Sequence, residues 1–285
     1  MGEPLTPPWV VVGIDGSRAA VHTALWAVDE AVSRDIPLRL VYALDERDSV
    51  NPGDAARKFA TAETAVRGAV MAVQATDQPI RVEMGIVQAA PARALADLSR
   101  SASMVCVGAI GLHHVRPGGF GSTAEILATT ARCPVAIIGG HHRRAAQPGF
   151  IVVNMDESPA DGVVLDHAMR EARLRAAPLR VVSCCRCGPS GHGDHQSAAD
   201  GSHQVSAQLR RRLQKWSRQY PDVDVECAAP HNGILDYLAE NRHGANLVVM
   251  NARNHHDIKQ LLGGTGSESL PHIDCSILVV NHQRG

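Results

Sequence analysis

Short apolar runs alternate with longer stretches of helical period along this chain. Trp9–Ile14 and Leu38–Ala43 are rich in Val, Ile and Leu, the pattern of strands buried on both faces of a sheet. Between them Ala20, Ala24, Ala27, Val28 and Ala31 keep a three-to-four spacing. That spacing predicts a helix over Arg18–Arg34, with Ser17 as its N-cap. Asp54–Ala75 reads as a long Ala-rich helix. Ile80–Val87 alternates apolar and polar residues, as a strand with one face less buried does. Pro91–Ser101 is a helix with Pro in its first turn. Met104–Ala109 and Val135–Ile138 are strands, with a helix over Ser122–Thr130 between them. The order βαβαβαβαβ implies a parallel sheet with helices on both faces. Such sheets take ligands beyond the carboxyl ends of their strands, where the strand order reverses. Asp15 and Gly108 both lie at predicted strand ends.

The same unit is then written again. Trp9-Val-Val-Val-Gly-Ile-Asp15-Gly-Ser17 matches Phe150-Ile-Val-Val-Asn-Met-Asp156-Glu-Ser158, an offset of 141 residues from Asp15 to Asp156. Leu38-Arg-Leu-Val matches Leu179-Arg-Val-Val at the same offset. Met104-Val-Cys-Val-Gly108 matches Leu247-Val-Val-Met-Asn251, at 143 from Gly108 to Asn251. So small a drift predicts two homologous domains. Their expected ranges are 1–140 and 149–285, joined by the Gly-, Pro- and Arg-containing segment Gly139–Gly149. Each copy ends its sheet in an edge strand, so the two are expected to cover one another as a pseudo-dimer within the chain.

The chemistry concentrates after the fourth predicted strand. Gly108-Ala-Ile-Gly111 is followed by nine residues and then Gly121-Ser122. Glycines let a backbone approach an anion closely and adopt positive φ. The helix that follows presents unpaired amides and the positive end of its dipole. Strand, glycines, loop, glycine, hydroxyl and helix together predict a phosphate cradle. The Asp15-Gly-Ser turn could instead be a plain helix cap, and the glycines plain turn residues.

With Asp15 at a strand end, the Gly-x2-Gly-x9-Gly-Ser pattern and the duplicated unit, the sequence resembles the universal stress protein family. In its duplicated unit it resembles the tandem-domain members found in mycobacteria and other actinobacteria. The resemblance implies two tandem Rossmann-like domains of the adenine nucleotide alpha hydrolase-like type, each a five-stranded parallel sheet with helices on both faces. It implies an ATP-binding protein of the cytoplasm, with a regulatory role in stress response or dormancy and a possible homodimer. The Mg²⁺ would travel with the phosphates. Gly13 and Asp15 would touch the nucleotide and Val41 would line the adenine pocket. The backbone of Val107 and Gly108 would approach adenine and ribose. Gly111, Gly121, Ser122 and Thr123 would hold the phosphates. In the second copy Asn251 and Asn254 replace the first two glycines. Asn tolerates left-handed backbone better than other side chains, but its amide would crowd a phosphate. Gly263-Gly-Thr-Gly-Ser267 follows in ambiguous register.

Composition narrows the alternatives. Hydrophobic residues make up 45% and aromatics 3%, so the core must be aliphatic. A formal net charge of −1 points to no nucleic-acid partner, and no apolar run is long enough for a membrane span. The N-terminus reads as a short lead-in rather than a signal peptide. Seven cysteines fit reduced thiols in a cytoplasm, Cys106 and Cys275 being small buried hydrophobes. Cys184-Cys185-x-Cys187 with His192, His195 and His203 is a rival metal or redox site, although its spacing matches no standard zinc module. His113-His114 and His255-His256 read as solvated loop residues. No nucleophile elbow, P-loop or dinucleotide fingerprint is present. Any ATP hydrolysis is therefore expected to be slow. The competing readings are an interaction module independent of nucleotide and a slow ATPase.

Overall fold

The computed structural model describes residues 8–45, 51–111, 121–139, 149–155, 158, 160–183, 209, 211–228, 230, 233–241, 244–262 and 275–281. The chain divides into two compact units, the first comprising Met1–Gly139 with Asn281–Gly285 and the second Gly140–Val280.

The first unit runs β1 (Val10–Ile14), α1 (Arg18–Arg34), β2 (Leu38–Leu44), α2 (Pro52–Gln74), β3 (Val82–Gln88), α3 (Pro91–Leu98), β4 (Met104–Gly108), α4 (Ser122–Thr130) and β5 (Val135–Ile138). Its strands stand in the order β3-β2-β1-β4-β5 and every pair is parallel. Val10 faces Leu38 on one side and Met104 on the other. The order turns back between β1 and β4, so the switch point lies between the ends of those two strands. Local chemistry sets the helix starts. Ser17 Oγ accepts the Ala20 amide at 3.0 Å and caps α1. The start of α2 belongs to Asn51, whose Oδ1 accepts the Asp54 amide at 2.9 Å, with Pro52 at the first helical position.

The second unit repeats the plan with β6 (Phe150–Met155), α5 (Asp161–Leu174), β7 (Leu179–Ser183), α6 (residues 211–219), β8 (Val225–Ala228), α7 (Ile234–Glu240), β9 (Ala245–Asn251), α8 (His255–Leu261) and β10 (Ser276–Val280). Its strand order is β10-β9-β6-β7-β8, again parallel. Every residue of β6 and β10 is buried, as a strand covered on both faces requires.

The duplication extends to side-chain contacts. Buried Glu30 pairs with Arg34 at 2.7 Å, and buried Glu171 with Arg175 at 3.0 Å. The Arg39 guanidinium lies 5.1 Å from the centre of the Trp9 ring, and that of Arg180 3.7 Å from the Phe150 ring. Both α1 and α5 end in a left-handed residue, Asp35 at φ 53° and Ala176 at φ 47°. In each, the next amide reaches back six residues inclusive, Ile36 to the Ala31 carbonyl and Ala177 to that of Ala172, which is the Schellman closure. Each of these pairs is separated by the same 141 positions.

Candidate functional site

Asp15 leaves the end of β1 and Gly108 closes β4, on the two sides of the switch point. The turn after Asp15 needs a glycine, since Gly16 sits at φ 87°. Asp15 Oδ1 accepts the Ser17 amide at 2.9 Å. Ser17, not Asp15, caps the helix, which leaves the second carboxylate oxygen facing elsewhere. It faces Gly111: a Cβ built at position 111 would stand 2.8 Å from Asp15 Oδ2. Chain on the far side of the loop returns to the same spot. The Gly121 amide donates to the Ala109 carbonyl at 2.8 Å. A Cβ at position 121 would lie 3.8 Å from both that carbonyl oxygen and the Gly111 nitrogen. Asp15, Gly111 and Gly121 are therefore one cluster, and α4 starts from it. Gly121 is the N-cap of α4 and brings no side-chain cap. The Ala124 and Glu125 amides turn back to the Gly121 carbonyl. Those of Ser122 and Thr123 have no acceptor within the helix.

The remaining expected residues build the support. A Cβ at Gly13 would stand 2.9 Å from Leu95 Cδ1 and 3.3 Å from Val107 Cγ1, so this glycine lets α3 settle on β1. A Cβ at Gly108 would stand 3.3 Å from Ala19 Cβ, so this one admits the first turn of α1 against β4. Val41 is 1% exposed, in register with Gly13 and Gly85, and Val107 is also buried. None of Gly108, Gly111 and Gly121 has positive φ. The expectation that the cradle glycines serve left-handed backbone is corrected: at Gly108 and Gly111 the constraint is space, while Gly121 would admit a Cβ in ordinary contact.

Two neighbours were missed in the sequence. Tyr42 is half-buried at the end of β2, in register with Ile14. Burial, and then the charge on Asp15, push its phenol above the usual range. Ile110, between the first two glycines, is 48% exposed. The pairing register of β1 and β2 would have found Tyr42. Nothing in the local pattern marks Ile110 as exposed.

The second unit carries Asn251 where the first has Gly108. Asn251 is 2% exposed. Its Nδ2 donates to Ser158 Oγ at 3.3 Å and its Oδ1 accepts the Arg253 amide at 3.1 Å. Neither Asn251 nor Asn254 has positive φ. Asn254 instead stands at the start of α8. His255 and His256 are exposed, as expected, but lie in the first turn of that helix rather than on a loop. His256 Nε2 is 2.9 Å from Gln260 Nε2.

Both copies match the model of the universal stress protein family, over residues 9–139 and 150–281. The chain belongs to that family. It is 47% identical to universal stress protein Rv2028c of Mycobacterium tuberculosis, over 99% of each chain. It is similar in fold to the crystal structure of a universal stress protein from Archaeoglobus fulgidus, with a TM-score of 0.70, 14% identity, and 98% of this chain and 97% of that one covered. A universal stress protein crystallised in complex with cAMP is 26% identical over 47% of this chain and 97% of its own, with a TM-score of 0.37.

Other expected sites fall differently. His113-His114, Asp156, Gly263–Ser267 and the Cys184–Cys187 segment with His192, His195 and His203 lie outside the described residues. Among the described residues no group of three or more His, Cys, Asp and Glu is placed to hold a metal ion, and no helix is long and apolar enough to cross a membrane. Cys106 and Cys275 are buried. Cys133 is buried too, and burial pushes its thiol up to about 12.

Proposed function

We propose that the first unit of this universal stress protein binds ATP at the Asp15–Gly111–Gly121 cluster, and that binding changes the surface offered to a protein partner. The observation that carries this reading is the convergence of three groups: the Gly111 backbone, whose missing side chain lets it lie against Asp15 Oδ2, the Asp15 carboxylate, and the start of α4, which has no side-chain cap. The residues present fit the ligand in kind. Asp15 Oδ2 is an acceptor for a ribose hydroxyl or a base amine. Tyr42 and Ile110 offer part-exposed ring and aliphatic surface for the base. The Ser122 and Thr123 amides and the α4 dipole suit phosphate oxygens. Mg²⁺ enters with the triphosphate and needs no protein cage. A ligand held between Asp15 and the start of α4 favours the arrangement that binds it, and a partner can read that shift.

The second unit supports one nucleotide per chain: its Asn251 side chain, where the first unit has Gly108, is buried and bonded to Ser158. Mass spectrometry of gently purified protein tests the reading. Adenine nucleotide released in roughly equimolar amount is expected. Protein that is nucleotide-free and does not take up millimolar ATP contradicts it, and leaves the interaction-module reading in its place.

A further inference from the structure

Helices α2 and α6 hold corresponding places in the two units, each joining the second strand of its unit to the third. Their outer faces differ in charge. On α2 the cations are matched one turn away: Lys58 Nζ is 3.3 Å from Asp54 Oδ2, and Arg67 Nη2 is 2.7 Å from Glu63 Oε1. On α6 Arg211, Lys215 and Arg218 are all exposed, with Gln214 beside them. Their spacing of four and three residues sets them in one stripe, about 10 Å long at a rise of about 1.5 Å per residue. Among the described residues, ion pairs of the second unit engage Arg170, Arg175, Arg180 and Arg212, and none reaches these three. Like charges one turn apart destabilise a helix, so the stripe has a standing cost that an anion would relieve.

The stripe is firmly mounted. Leu213 and Tyr220 are buried, Arg212 pairs with buried Asp161 at 3.2 Å, and Tyr220 Oη donates to Asp166 Oδ1 at 3.1 Å. Beside it, a groove of about 420 Å³ runs between α6 and β8, lined by Leu213, Gln214, Ser217, Arg218, Val225 and Cys227. Of these, Leu213 is buried, Val225 and Cys227 are half-buried, and Arg218 is exposed. We propose that this stripe and groove dock a short acidic segment of a partner protein, its carboxylates over Arg211, Lys215 and Arg218 and one apolar side chain in the groove. Charge complementarity names an anion, and the surroundings choose the kind. Single-stranded nucleic acid is held by exposed stacking rings, whereas Trp216 is half-buried and Tyr220 buried. A membrane-surface helix exposes a broad apolar face, whereas the exposed positions of α6 among the described residues are all polar or charged. The inference stands independently of the nucleotide reading.

The test uses the full chain and a fluorescent synthetic peptide with Glu at every third or fourth position and one Leu. Fluorescence anisotropy is read at low and high salt. Binding that weakens with salt is expected, with a loss of about tenfold (about 1.4 kcal/mol) in the triple variant Arg211→Gln, Lys215→Gln, Arg218→Gln. Gln keeps helix propensity. The control Arg57→Gln with Lys58→Gln on α2 should bind as wild type. Should the triple variant melt early, Arg218→Gln alone is expected to lose about threefold. Unchanged binding in the folded variant, no binding to wild type, or tighter binding of an oligonucleotide of equal charge overturns the proposal.

Discussion

Replacing Gly111 by Ala tests the central contact of the cluster. The backbone there is not left-handed, so the methyl group alone is at issue. It would stand 2.8 Å from Asp15 Oδ2, where ordinary contact begins at 3.4 Å. The carboxylate must swing away, and the bond from the Ser17 amide at 2.9 Å is what it gives up. Hydrogen bonds to charged groups contribute about 1.5–3 kcal/mol. Asp15 is half-buried, so water recovers part, leaving a net cost of about 1–2 kcal/mol. Urea unfolding reads this cost, with separate transitions fitted for the two units where they separate. The decisive comparison is a double-mutant cycle. In an Asp15→Ala background the opposing oxygen is gone, and Gly111→Ala should cost less than about 0.5 kcal/mol, the scatter of independent sites. Equal cost in both backgrounds, or no cost in either, would refute the contact and the space argued from it.

Other expectations follow from the same geometry. Ala176 sits at φ 47° at the end of α5, so Ala176→Gly should stabilise the second unit by about 0.5–1 kcal/mol; a loss of stability in thermal melts would contradict the cap. The Cys133 thiol is pushed from 9.0 to about 12 by burial. Its folded value lies above its unfolded one, so the associated stability is complete below pH 9 and is lost as pH rises towards 12. Wild type should lose more stability than Cys133→Ala between pH 9 and 11, and parallel pH profiles would sink that assignment. Asn251→Ala removes two buried hydrogen bonds and should cost about 1–2 kcal/mol in urea unfolding without altering the ATP response; a changed ATP response would mean that the second unit also takes part.

Much of the fold was legible because the strands are buried runs and the repeat supplies each element twice. The bounds of α1, α4 and β5 agree with the apolar pattern to the residue. The Ala-rich pattern starts α2 at Asp54, but Asn51 followed by Pro52 is the stronger signal and the helix begins at Pro52. The strand expected from Ile80 begins at Val82, because an edge strand buries little and its alternation is weak at the start. In the cluster, the pattern found these glycines, but the positive φ it allowed for is absent at Gly108, Gly111 and Gly121. Gly13 and Gly108 are small because helices α3 and α1 approach them, a packing relation between elements far apart in sequence. Tyr42 was overlooked for Val41, since which of two adjacent strand residues reaches the edge depends on register. The Schellman closures at Asp35 and Ala176 carry no glycine to announce them.

ATP-dependent stability of wild type and Gly121→Asp tests the account most directly. Gly121 lies at φ −68° and ψ 149° with 3.8 Å of room at its Cβ, and Asp is a better N-cap than Gly by a few tenths of a kcal/mol. The variant should therefore fold at least as well as wild type while its carboxylate occupies the proposed phosphate seat. At about 100 times its Kd, ATP should stabilise wild type by about 2.7 kcal/mol and leave Gly121→Asp unmoved. An equal gain in both proteins would put the nucleotide elsewhere and contradict the assignment of this site.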